Sequence, residues 1–147
     1  MSQILNEMRV VLSPKSCNEA VARSVVTAFV MQMDPSVSEL ADIKTAVSEA
    51  VTNSIVHGYR SCTGNIELVC RILDKDMLYI KVRDKGCGIA DVKQAMEPLF
   101  TTRPELDRSG MGFSFMEAFM DKLEVRSQPG WGTEVVMKRK IGVHPER

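Results

Sequence analysis

Between Asp34 and Gly58 the chain reads DPSVSELADIKTAVSEAVTNSIVHG, and this stretch says more about the fold than any other. Asp34-Pro35 stops whatever precedes it; Asp34 or Ser36 can cap a helix, and Pro35 suits a first helical position. Leu40, Ile43, Val47, Val51 and Ile55 then recur at three and four residues. They form one buried stripe that runs to Gly58, a natural C-terminal cap. Glu49, Asn53 and His57 succeed one another at intervals of four, so all three share one helical face. A Glu and an Asn on a helix are by themselves most often part of a solvated face. Here the flanking residues Ala46, Val47, Ala50, Val51 and Ile55 are small or apolar, which sets the polar row at the margin of the core. A carboxylate in that position can act as a general base, and the Asn53 amide oxygen can ligate a hard cation such as Mg²⁺.

Toward the N-terminus, Ala22, Val25, Val26, Phe29, Val30 and Met33 give a second helical stripe over Asn18 to Met33. Met8 to Leu12 is a short apolar run ended by Ser13-Pro14 and reads as a strand. Toward the C-terminus the period changes. Ile66 to Leu73 and Met77 to Val82 read as strands joined by the turn Asp74-Lys75-Asp76. Asp84 to Gly112 is rich in Gly, Pro, Thr and charge, with one short helical piece near Val92 to Met96. A segment so long and irregular in a compact domain reads as a binding loop or lid. Phe113 to Met120 suggests a helix, and Leu123 to Ser127 with Glu134 to Arg139 a closing hairpin around Pro129-Gly130-Trp131-Gly132. Strands that pair in hairpins, with long helices on one face, predict an α/β two-layer sandwich on a mixed, mainly antiparallel sheet. A doubly wound nucleotide fold would need strands alternating with helices.

At 147 residues the chain has the size of one domain, taken as 1–147. Its 19 basic and 19 acidic residues cancel, which argues against direct nucleic-acid binding and leaves association with a partner or a second copy open. No apolar run reaches membrane-span length and no leader pattern opens the chain, so a cytoplasmic location is expected. Cys17, Cys62, Cys70 and Cys87 form no CxxC pair and read as reduced, partly buried thiols. Most of the ten methionines are expected to fill the core.

Three further motifs carry chemistry. Asp84-Lys85-Gly86-Cys87-Gly88 follows a strand: the carboxylate can accept a hydrogen bond from an exocyclic amine, and Gly86 and Gly88 let backbone approach a ring or phosphate. As a bare motif it is most often a turn. Neither a Walker A loop nor the GxGxxG spacing is present. Ser109-Gly110-Met111-Gly112 opens a helix, where backbone amides can receive an anion, against the plainer reading of a hinge. Between the glycine pairs, Thr101, Thr102, Arg103 and Arg108 can reach phosphate oxygens. Gly132-Thr133 opens the last strand.

The ordered set of a helical ExxxN, a strand followed by DxGxG, a lid, GxG at a helix start and GT before a strand resembles the ATP-binding fold shared by gyrase, Hsp90, histidine kinases and MutL. Ser48 to Asn53 with His57-Gly58-Tyr59, and Pro98 to Thr102 with Arg108 to Phe113, are more closely similar to the anti-sigma factor serine kinases of sporulation. That resemblance implies ATP/ADP and Mg²⁺ as cofactors, sigma factor F and a serine-bearing anti-anti-sigma factor as partners, and a homodimer. It further implies Glu49 as catalytic base, Asn53 as the Mg²⁺ ligand and Asp84 as the adenine-reading carboxylate. Gly86 and Gly88 would lie beside the base, with His57 and Thr133 also lining the nucleotide site. An ATP lid at about 97–112 would contain Thr101, Thr102, Arg103, Arg108 and Ser109, with Gly110, Met111 and Gly112 as its phosphate loop. Arg23 would face the partners. Rival readings are the stress-response (sigma B) kinase type and an ATP-gated sigma-binding module without kinase activity. A histidine kinase fragment would need a dimerising helical domain, and a gyrase-like ATPase large extra domains.

Overall fold

A computed structural model describes residues 2–58, 64–86 and 112–142, and the architecture below refers to these. Strand β1 (Ile4–Leu12) leads into helix α1 (Asn18–Val30), which tightens into a 3₁₀ turn at Met31–Met33. The left-handed Asp34 (φ 53°) breaks this turn. Helix α2 (Val37–Asn53) starts on a full capping box: the Ser36 hydroxyl accepts from the Glu39 amide while the Glu39 carboxylate accepts from the Ser36 amide. Two otherwise orphaned helix donors are thereby satisfied, and Ser36 rather than Asp34 is the cap. Strands β2 (Ile66–Leu73) and β3 (Met77–Asp84) form the hairpin expected, turning through left-handed Lys75 and Asp76. Helix α3 (Gly112–Phe119) and the hairpin of β4 (Lys122–Gln128) and β5 (Gly132–Lys140) complete the order.

The five strands lie in the order β1-β2-β3-β5-β4, and every pair is antiparallel. The sheet is therefore fully rather than mainly antiparallel among the described residues. Alternation assigns its two faces. Leu78, Ile80 and Val82 of β3 with Val135 and Met137 of β5 point to the helices and are almost fully buried, while Tyr79, Lys81 and Arg83 point to the open face. Ala22, Val26 and Val30 of α1 and Ile43, Val47 and Val51 of α2 meet them from the helical layer, each fully buried. Burying one such side chain contributes about 1.5–3 kcal/mol. Val25, Met33, Leu40 and Ile55, expected in the stripes, pack only at their margins. Met116, Met120 and Met137 fill the core, whereas Met31 is 55% exposed.

Arg139 ties the layers together. Its guanidinium donates to the Asp42 carboxylate of α2 at 2.8 Å and to the Phe119 carbonyl at the end of α3 at 2.9 Å. Cys70 is buried as expected; Cys17, expected partly buried, is exposed ahead of α1. Cys62, Cys87 and the helical piece near Val92 to Met96 lie outside the described residues. Among the described residues no helix is long and apolar enough to cross a membrane.

Candidate functional site

Helix α2 points its C-terminal end at the start of α3, and the contact between them is polar. A Cβ built on Gly112, the first residue of α3, would lie 3.2 Å from Asn53 Nδ2, 3.3 Å from Glu49 Oε2 and 3.4 Å from Asn53 Oδ1. The i, i+4 spacing read from the sequence thus brings Glu49 and Asn53 together, and the second glycine of the GxG pair faces both. Asn53 Nδ2 is buried and has no hydrogen-bond partner among the described residues. An unmade bond on a buried amide costs about 1–3 kcal/mol, so the position suits a ligand that completes it. Turned over, the same amide would present its oxygen there, which is a hard donor fit for Mg²⁺. Among the described residues no three His, Cys, Asp or Glu side chains converge into a metal cluster. A cation here would need other ligands besides Asn53, as Mg²⁺ held partly by phosphate oxygens has.

Beyond Asn53 the helix does not continue in α form. Ser54–Gly58 make a π turn, a feature that recurs at functional sites. His57, expected on the same row, lies within this π turn. The π turn has a consequence: the Ser54 hydroxyl donates to Asp84 Oδ2 at 2.9 Å, pinning the end of α2 to the end of β3.

Asp84 is 2% exposed, a carboxylate enclosed at the end of a central strand. Its Oδ1 accepts from the Gly86 amide at 3.0 Å. Burial raises its pKa above the ordinary 3.8; the Gly86 amide, the Ser54 hydroxyl, the Thr133 amide and the Arg83 charge each pull it back. A buried acceptor surrounded by three donors keeps a fixed orientation, as recognition of an amine on a flat ring requires. Thr133 pairs with Asp84 across β3 and β5, and its hydroxyl lies 2.8 Å from that of Ser127. Gly132 explains the GT pair: its φ is +110°, and a Cβ there would lie 2.2 Å from the Asp84 carbonyl oxygen. On the open face the neighbouring Arg83 guanidinium stacks on Trp131 at 3.7 Å, closing the strand end from behind.

Glu49, Asn53, Gly112, Asp84, Gly86 and Thr133 therefore cluster where α2, α3, β3 and β5 meet. Arg23 lies apart, on α1, where it donates to Glu19 at 3.0 Å and to Ser48 at 2.9 Å. Glu19 also accepts from Thr52 at 2.9 Å, so α1 and α2 are joined by a polar chain, Ser48–Arg23–Glu19–Thr52, whose α2 members each neighbour Glu49 or Asn53 in sequence. Gly88, Thr101, Thr102, Arg103, Arg108, Ser109, Gly110 and Met111 lie outside the described residues, as does most of the lid. Ser54 and Ser127 were not singled out from sequence. Their partners lie 30 and 6 residues away, with no local pattern to signal them.

Comparison with known proteins agrees with this fold. The model of the histidine kinase-like ATPase domain matches residues 12–139. The anti-sigma F factor of Clostridium beijerinckii is 53% identical over 138 residues, covering 94% of this chain and 96% of that protein. The anti-sigma F factor of Geobacillus thermodenitrificans is 49% identical, covering 92% and 93%. Among solved structures, the RsbU and RsbW domains of a Mycobacterium tuberculosis protein superpose with a TM-score of 0.69 at 18% identity, over 92% of this chain. A blue-light activated histidine kinase domain from Erythrobacter litoralis gives 0.55 at 20% identity, over 71% of this chain. This chain spans about a third of the first of those structures (32%) and under half of the second (45%), and at such identities they speak to the fold alone.

Proposed function

The chain belongs to the histidine kinase-like ATPase family, among proteins named anti-sigma F factors, and from that premise we propose that it is an ATP-dependent anti-sigma factor with serine kinase activity. It binds sporulation sigma factor F and transfers the γ-phosphoryl group of ATP to a serine of the anti-anti-sigma factor. Its setting is the cytoplasm and its working form a homodimer. The observation that supports this reading best is the junction of Glu49, Asn53 and Gly112: a carboxylate and an under-bonded amide at a helix start that carries no side chain.

Phosphoryl transfer asks a protein mainly to position groups and to balance charge. In this proposal the buried Asp84 accepts from the exocyclic amine of adenine, with Gly86 alongside and Thr133 and His57 lining the site. Thr101, Thr102, Arg103, Arg108 and Ser109 of the lid, with Gly88, Gly110 and Met111, contribute contacts to the nucleotide. Gly112 leaves the phosphate end open. Asn53 holds Mg²⁺, which when bound offsets phosphate charge. Glu49 takes the proton of the incoming serine hydroxyl as its oxygen bonds to phosphorus and the bond to the bridging oxygen breaks, leaving ADP. Arg23, bonded to Glu19 and Ser48, contributes to the partner face.

Glu49→Gln separates this from a nucleotide-gated module without kinase activity. The substitution keeps the shape and removes the base, so ATP binding is expected within about twofold while serine phosphorylation falls by about 10²–10⁴, the range of general base catalysis. Undiminished transfer to the purified anti-anti-sigma factor refutes the assigned role.

A further inference from the structure

Arg83 and Asp84 are neighbours at the end of β3 and point to opposite faces of the sheet. Asp84 is buried toward the helices, in the site described above, and Arg83 lies on the open face. Its cross-strand neighbours there are Glu67 on β2 and Glu134 on β5, two acids suited to a guanidinium. Both engage other cations. Glu67 lies 3.4 Å from Lys81 Nζ, and Glu134 lies 3.9 Å from Lys81 Nζ and 3.7 Å from the Arg126 guanidinium. Arg83 Nε is buried and has no hydrogen-bond partner among the described residues. A buried donor without a bond is costly and rare in folded chains, so what Arg83 touches instead matters. Its guanidinium carbon lies 3.7 Å from the centre of the Trp131 ring.

Trp131 belongs to the tip of the β4–β5 hairpin, where Gln128 to Trp131 are all exposed. The Trp131 amide donates to the Gln128 carbonyl at 3.0 Å around Pro129 and a left-handed Gly130 (φ 80°), the pattern of a type II turn. The Ser127 hydroxyl bonds Gly132 and Thr133 from within the same hairpin and so does not tie the tip to β3. The ladder between β3 and β5 ends at Asp84 and Thr133. One residue beyond it, Gly132 packs on β3 so closely that a Cβ would lie 2.7 Å from Lys85 Cα, and next to it the Trp131 indole lies on Arg83. The face of an indole is the strongest aromatic partner for a cation, and more so where water is excluded. The stack thus presses the hairpin tip onto the strand end from the open side. On the other side the Thr133 and Gly86 amides hold the Asp84 carboxylate.

We propose that Trp131, acting through Arg83, is a positioning residue for adenine recognition: the stack fixes the strand end and the Gly132–Thr133 backbone, and through them the direction in which Asp84 presents its carboxylate. A hydrogen bond weakens steeply with misalignment, so loosening of the strand end falls first on the bond to the amine. This rests on the reading of Asp84 as the adenine acceptor and gives a part in base selectivity to a side chain on the far face of the sheet.

Base selectivity tests it. Calorimetry of Mg-ATP beside the Mg complex of purine riboside triphosphate, which carries hydrogen in place of the exocyclic amine, reads the amine contact as a ratio of affinities. In the unaltered chain the ratio is expected to favour ATP by about tenfold or more, the worth of a hydrogen bond to a charged acceptor. Trp131→Ala is expected to lower it by about three- to tenfold, the range of a partly desolvated cation–π contact, through weaker ATP binding with the analogue unaffected. Trp131→Phe keeps a ring face and is expected to keep the ratio. Should Trp131→Ala fail to fold, Trp131→Leu retains apolar bulk without a ring face and is expected to lower the ratio likewise. An unchanged ratio overturns the positioning role, as does an equal loss for both nucleotides, which is what a merely structural residue would give. An unaltered chain that binds both nucleotides equally overturns the reading of Asp84 itself.

Discussion

Gly112→Ala adds a single methyl group at the point where the proposed phosphate end of the site is narrowest. Gly112 does not sit in the left-handed region, so alanine is conformationally permitted there. It is the first residue of α3, and alanine in place of glycine at a compatible position stabilises by about 0.4–1 kcal/mol through the unfolded chain. Against this, the new Cβ would sit 3.2–3.4 Å from three side-chain atoms of Asn53 and Glu49. Both side chains can yield by a few tenths of an ångström, so the cost to the apo fold is expected to cancel most of the gain. The melting temperature should move by no more than about 2–4 °C, the equivalent of about 1 kcal/mol for a domain of this size. Ligand binding is expected to respond differently. The methyl group occupies the gap between the carboxylate and the amide, and displacing either group from its ligand forfeits a hydrogen bond to a charged partner. Such a bond is worth about 1.5–3 kcal/mol, or about 10- to 150-fold in Kd. Calorimetric titration of Mg-ATP beside a thermal melt reads both quantities. Wild-type affinity in a stably folded Gly112→Ala would refute the placement of the phosphates at this junction.

Gly132→Ala should do the opposite: the 2.2 Å approach to the Asp84 carbonyl and the positive φ cost about 2–5 kcal/mol, seen as a large loss in the urea midpoint. A melt within about 2 °C of wild type, on the same scale of about 1 kcal/mol, would show that the strand end is not so tightly closed. Because burial raises the Asp84 pKa, the folded chain holds that proton more firmly than the unfolded chain, and the native state loses stability as pH rises through the window above 3.8. Asp84→Asn removes this slope, so its stability relative to wild type should rise between pH 4 and pH 7 in urea titrations; a difference that does not vary with pH refutes the assignment. Burial likewise pushes the Cys70 thiol up to about 12, so in the native chain mass-spectrometric mapping after alkylation at pH 8 should find the exposed Cys17 modified and Cys70 intact. Equal labelling of both would show that the core opens readily.

Much of the fold was legible in local pattern. The stripe from Ile43 to Val51 gives α2, and the Asp74-Lys75-Asp76 turn between two apolar runs gives the β2–β3 hairpin, because helical and strand periodicities are set by burial on one side of a regular backbone. The polar row was legible to the extent that the α-helix is regular: Glu49 and Asn53 stand together as their spacing requires. Beyond Asn53 spacing is no longer a guide, because α2 gives way to a π turn whose Ser54 reaches Asp84, a bond spanning 30 residues. The GT pair shows the same limit. Its glycine could be noticed in the sequence, but the reason for it is the Asp84 carbonyl, which a register shared by β3 and β5 brings against it.

Residue types, spacing and charge thus determined by themselves the element order, the two-layer class and the chemistry available at each motif. These depend on interactions within a few residues along the chain, and each side chain carries its own donors and charge wherever it lies. The tertiary structure alone decided that Gly112 faces Glu49 and Asn53, that Ser54 and Thr133 orient a buried Asp84, and that β1 is the open edge of the sheet. Those depend on strand order and helix docking, which arise when distant apolar faces bury one another, and no local pattern encodes where such faces meet.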